Sequence, residues 1–181
     1  MCEPRKSTQE KEESVQSHQE VAQIGTSCGY DSSKRKFKYH KESRNMKTEM
    51  KNVAAIVACV IWVDEEYSDE EKECLEEIAE ALEFKSEDFI AVVESELNKI
   101  KTLSDDEVNK YLLTAADAVD DEEVGIVLEV VMQVAICDNV LTSDQTEIIH
   151  IIAAALGISP AMTTLLVADM VREEDVEVVI E

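Results

Sequence analysis

Apolar residues recur at three- and four-residue spacing from about residue 48 to residue 171, the period of a helix with one buried face. Seven helices follow from that pattern and from the polar residues that punctuate it. The first spans about 48–63 and is apolar almost throughout its second half. The second starts after Ser68, where Ser68 and Glu71 make a capping box: the hydroxyl and the carboxylate each satisfy an amide that the helix leaves unpaired. Its apolar face reads Cys74, Leu75, Ile78, Ala81 and Leu82. The third starts after Ser86, buries Phe89, Ile90, Val93 and Leu97, and ends near 99–101, where lysines suit the negative helix terminus. The fourth starts after Ser104, with Glu107 closing a second box, and carries Val108, Tyr111, Leu112, Ala115 and Val119. The fifth runs from about 120 to 137 and is apolar nearly all round, with Gly125 in its first turn. The sixth follows Thr142, pairs that residue with Gln145 and stops at Gly157. The seventh has Ser159 as N-cap and Pro160 at its first position, and presents Met162, Leu165, Leu166, Ala168 and Val171. Residues 172–181 fit either an extension of that helix or a short extended segment.

The pattern repeats. Residues 60–84 (VIWVDEEYSDEEKECLEEIAEALEF) align without a gap on residues 134–158 (VAICDNVLTSDQTEIIHIIAAALGI) at an offset of 74. Asp64 falls on Asp138, Glu73 on Glu147, and Ala81-Leu82 on Ala155-Leu156. Helices one to three therefore match helices five to seven, and helix four is the connector. Helices one and five are apolar on most faces, so neither half can bury them alone. They belong at the centre of one all-α domain with no sheet.

Before residue 46 the period is lost. Residues 1–45 are rich in Ser, Gln, Glu and Lys, bury too little to offset the entropy of ordering, and are expected to form a disordered tail ahead of a domain at 46–181. Charge divides the chain in the same way. Residues 1–51 hold 11 Lys/Arg and 8 Asp/Glu, whereas residues 52–181 hold 6 and 33. A net charge of −24 repels nucleic acid and anionic membranes and attracts cations and basic proteins. Nucleic-acid binding has one foothold, the stretch KRKFKYHK from Lys34 to Lys41 in the tail, which reads better as a solvated linker. The longest uncharged apolar run, 53–63, is too short to span a membrane, and no secretory signal opens the chain. Five cysteines without a CxxC pair suit a reducing compartment and give no zinc motif. These features point to the cytoplasm.

The chemistry worth weighing lies at the acidic turn between the first two helices. Asp64, Glu66, Ser68 and Glu71 offer oxygen donors of the kind that hold Ca²⁺ or Mg²⁺. The loop is too short for an EF-hand and lacks its central glycine. Ser68 and Glu71 also have a competing task as a helix cap. The second turn offers Asp138 and Asp144 and is poorer in acids, with Val140 where the first has Glu66. A carboxylate-metal enzyme is a remote alternative: Glu147 and His150 fit a Glu-x-x-His pair once, without the second copy that a di-iron bundle needs. No Gly-rich phosphate loop, GxSxG elbow or HExxH is present. Trp62 reads as a core anchor, and His150, which aligns with Glu76, as a solvated residue.

The two junctions resemble those of the TerB-like family, named for bacterial tellurite-resistance operons, of which a related module opens a membrane-anchored DnaJ-like co-chaperone. The family signature is Ala-Asp-Gly-acid-apolar followed by a Glu-rich helix ending in Ala-Leu-Gly. Asp64, Glu66, Tyr67, Ser68, Glu70 and Glu71 match in the first copy. Asp138, Leu141, Thr142, Asp144 and Ala155-Leu156-Gly157 match in the second. The likeness covers about 47–171. The family glycine is replaced by Glu65 and Asn139, and of the two Asn enters the left-handed region more readily. The resemblance implies a duplicated seven-helix fold, a non-enzymatic role in tellurite and chemical stress, and an acidic surface that binds divalent cations. Acidic docking of a basic protein partner, as a scaffold without metal, is the alternative.

Overall fold

A computed structural model describes residues 46–63 and 67–179. All of them lie in one compact unit, Phe37–Glu181. Seven helices are present among the described residues: α1 (Met50–Val63), α2 (Asp69–Ala81), α3 (Ser86–Ile100), α4 (Asp105–Ala116), α5 (Val124–Ala135), α6 (Ser143–Ala155) and α7 (Pro160–Glu174). The fold is all-α. Two three-residue strands, β1 (Val140–Thr142) and β2 (Glu177–Val179), add a parallel pair in register Val140 to Glu177. This corrects the expectation of no sheet. Residues 172–181 divide between the two readings: 172–174 extend α7, and 177–179 form β2.

The centre is α1. Its nine consecutive residues from Val53 to Ile61 are all buried, which only a helix surrounded on every side can achieve. It packs on α3, α4, α5 and α6, while α5 packs on α1, α2 and α6. The two apolar helices thus form the core, with Trp62 partly buried against it. Small Ala54, Ala55 and Ala58 are fully enclosed on α1, where short side chains allow close packing by neighbouring helices.

The 74-residue offset survives in the element bounds. Helix α2 begins and ends 74 residues before α6, and α3 begins and ends 74 residues before α7. Both α2 and α6 end in the same way. A residue with positive φ follows the helix, Glu83 at 60° and Gly157 at 78°. The next amide, of Phe84 or Ile158, donates to the carbonyl five residues back at 2.8 Å in each case. That is the Schellman closure.

Three boundaries differ from the pattern. Helix α3 starts at Ser86 itself, with Lys85 as a cap that makes no side-chain bond. Helices α1 and α5 start later than expected because Thr48 and residues 120–123 hold each other. The buried Glu123 carboxylate accepts from the amides of Lys47 (2.6 Å) and Thr48 (2.8 Å), and the Thr48 hydroxyl accepts from the amide of Asp120 (3.0 Å). Outside this clasp, Lys47 Nζ lies 2.6 Å from Glu122. The apolar faces of α2 and α7 also need correction. Ala81 is exposed and Ala79 buried; on α7 Met162, Leu165 and Ala168 face outward. Helix α7 packs chiefly on α6, and only Thr163 and Val167 of it are fully enclosed.

Candidate functional site

Each acidic junction joins a core helix to a surface helix. In the first, α1 ends at Val63 and α2 begins at Asp69, with Tyr67 and Ser68 leading into it. Asp64 and Glu66, the two residues on which a cation site chiefly depends, lie outside the described residues. The rest of the junction is on view. The Ser68 amide donates to Glu71 Oε2 at 2.7 Å, and the Glu71 amide donates to Ser68 Oγ at 3.0 Å. The capping box is therefore formed, and Glu71 is buried within it. Lys72 reaches back over the Tyr67 ring, 5.1 Å from its centroid, and to Asp69 at 3.5 Å.

Tyr67 is the unusual member. Its ring packs on the core, and its hydroxyl is buried with no hydrogen-bond partner among the described residues. Burial raises its pKa, and the negative charges of Glu94, Glu71 and Glu76 raise it further. The matching residue in the second copy is Leu141, which is 1% exposed. An apolar position has here been given a phenol.

The second junction is closed by its own backbone. Asp138 Oδ1 accepts from the Val140 amide at 2.9 Å, a local turn that leaves Asp138 on the surface. Asn139 sits at φ 66°, the left-handed conformation that asparagine tolerates better than most residues. Its carbonyl accepts from the Glu177 amide at 2.9 Å, and β2 then covers the turn. Thr142 and Gln145 form the matching box, at 2.8 and 3.1 Å. Asp144 is exposed in the first turn of α6, where its charge favours the helix dipole. Among the described residues, no group of three or more His, Cys, Asp or Glu side chains is placed to hold a metal ion. The structure therefore brings Ser68 to Glu71, and brings neither Asp138 nor Asp144 into a ligand set. Glu147 and His150 join no such set either.

A family model described as "Tellurite resistance protein TerB" matches residues 50–166, well over half of the chain. The chain belongs to the TerB family. No curated protein and no solved structure matches it.

What this TerB domain presents outward is charge. Helix α2 exposes Asp69, Glu70, Glu73, Glu76, Glu77 and Glu80 along 13 residues, with Lys72 as its only cation. No helix among the described residues is long and apolar enough to cross a membrane. The stretch Lys34–Lys41 lies outside the described residues.

Three carboxylates escaped the sequence reading. Burial pulls the Glu96 pKa up, but hydrogen bonds from Tyr111 and Lys99 and the charges of Lys99 and Lys51 outweigh it, so the carboxyl stays below its ordinary value. Lys99 also stacks 4.3 Å from the Tyr111 centroid, so this cluster pins α4 to α3. Burial acts on Glu123 in the same way, and the bonds from Thr48 and Lys47 again hold its pKa down. Glu129 has no such compensation. It is buried in the middle of α5, and desolvation alone raises its pKa to about 7. The signal was legible in one respect: Glu129 is the single charge within the apolar run 124–132.

Proposed function

We propose that this TerB-family domain is a non-enzymatic, cytoplasmic stress-response module of the tellurite-resistance type, which works by docking a basic protein partner on its acidic surface. The observation that carries the reading is the exposed row of six carboxylates on α2, with one lysine among them. Surface charges of one sign raise the encounter rate with an oppositely charged partner and are screened by salt. The test is biological. Cells dependent on this chain for tellurite tolerance receive the variant Glu73→Gln, Glu76→Gln, Glu77→Gln, Glu80→Gln. Tolerance falls while the variant stays folded by circular dichroism; unchanged tolerance removes α2 as the working surface.

A second reading, a divalent cation such as Ca²⁺ or Mg²⁺ at the first junction, is supported by the Tyr67 hydroxyl. It is buried without a partner among the described residues, and it follows Asp64 and Glu66 directly in the sequence. Those two residues would supply the ligands, with Glu71 available only as far as its cap allows; Ser68 is committed to that cap, and Asp138 and Asp144 are remote from it in sequence. Calorimetry with Ca²⁺, Mg²⁺ and Mn²⁺ decides. Heat that disappears in Asp64→Ala, Glu66→Ala supports the site, and no heat with any of the three ions ends it.

A further inference from the structure

Helices α4 and α6 leave a shallow groove of about 360 Å³ between them. Leu112, Leu113 and Asn109 line one wall, and Ile151, Ala154 and Ala155 the other. Its lining is almost wholly apolar, yet Leu113 is 53% exposed and Ile151 39%, so two large apolar side chains face water across one cleft. Helical spacing puts carboxylates beside it. Asp106 lies two turns before Leu113 on α4, and Asp117, just past the end of α4, one turn after; on α6, Asp144 and Glu147 lie two turns and one turn before Ile151. All four are exposed, and the one cation on these two helices is Lys110.

We infer that this groove seats a basic amphipathic helix of a protein partner, with apolar side chains of the partner between Leu113 and Ile151 and its lysines or arginines on the four rim carboxylates. The groove has the size of a site for two or three aliphatic side chains, and helix-in-groove recognition uses such a row of anchors. Charge selects the occupant. A second copy of this chain would bring another net −24 against the same acidic rim, whereas a cationic helix gains from every rim residue. The inference rests on the basic-partner reading above and adds a distinct surface to it, since α2 is not part of the groove.

The test uses the full chain and a fluorescent peptide of about 18 residues, long enough to hold helix when bound, built of Leu at helical spacing and Lys elsewhere. A scrambled peptide of the same composition is the control. The amphipathic peptide is expected to bind at least about tenfold more tightly than the scrambled one. Leu113→Glu and Ile151→Glu should each weaken it by about tenfold or more. These substitutions are at exposed positions, and they add negative charge, so an attraction that is only electrostatic would strengthen. Neutralising Asp106, Asp117, Asp144 and Glu147 to Asn or Gln should weaken binding and flatten its salt dependence. Equal binding of both peptides overturns the inference, as does unchanged or tighter binding to Leu113→Glu. Binding lost only in the α2 glutamine variant also overturns it while sparing the wider reading. A concentration-dependent dimer in sedimentation, abolished by Leu113→Glu, would assign the groove to a second copy instead.

Discussion

Tyr67 places a hydroxyl where the second half of the molecule places Leu141, and the hydroxyl finds no partner among the described residues. A buried, unpaired polar group costs about 1–3 kcal/mol. Tyr67→Phe is therefore expected to stabilise the domain by about 1 kcal/mol in urea denaturation. A loss of similar size would mean that the oxygen is in fact engaged, as the cation reading requires. Glu129 makes a second residue-scale case, with a pH signature. Its folded pKa of about 7 lies above its ordinary value of 4.5. Between those values the folded chain holds a proton that the unfolded chain has released, so stability falls as pH rises through that window. Glu129→Gln should remove this component, gaining about 2 kcal/mol at pH 8 and little at pH 4. Urea melts at the two pH values check it, and an equal effect at both would show that the carboxyl is not the titrating group. Glu123 has the opposite sign: its pKa is depressed, so the clasp on Lys47 and Thr48 contributes above its ordinary value and is lost as acid protonates it.

At the scale of elements, the two surface helices α2 and α6 begin with the same box built from different residues, Ser68 with Glu71 and Thr142 with Gln145. Ser68→Ala and Thr142→Ala should each cost about 1 kcal/mol in thermal or urea melts. Glu71→Gln copies the second box, and should keep most of the stability that Glu71→Ala loses. A cation-dependent role for Glu71 would separate these variants differently, because a neutral amide is a poorer ligand for a hard cation. The three side-chain boxes, the Schellman end at Gly157 and the Ser159-Pro160 start were readable because capping is local chemistry, decided within four residues. The late start of α1 and α5 was not readable. It depends on Glu123 reaching amides some 75 residues away in the chain, and no local rule carries that distance. The parallel pair of β1 and β2 escaped for the same reason, since each strand has three residues and its only partner is distant in sequence.

The whole molecule has a centre that was visible in advance and an exterior that was only partly so. Nine consecutive buried residues on α1 follow from an apolar run with no polar face. The exposure of Met162 and Leu165 does not follow, because it depends on α7 packing chiefly on α6, whereas α3 packs on both α1 and α2. The second junction has a feature that pattern alone also concealed: β2 pairs with the strand that follows its turn. Partner docking on the acidic exterior and a cation at the first junction are separable readings. Partner and metal make different demands on that exterior. A charge-docked partner tolerates chelator and dissociates in salt, whereas a metal-bridged one does the reverse.

The most direct measurement is capture of partner protein from the native cell extract by the full chain, run against salt and against EDTA. The account predicts capture at low ionic strength, release by about 0.5 M salt, indifference to EDTA, and loss in the Glu73→Gln, Glu76→Gln, Glu77→Gln, Glu80→Gln variant. Capture that needs a divalent ion, or that persists in high salt and in the variant, would contradict it.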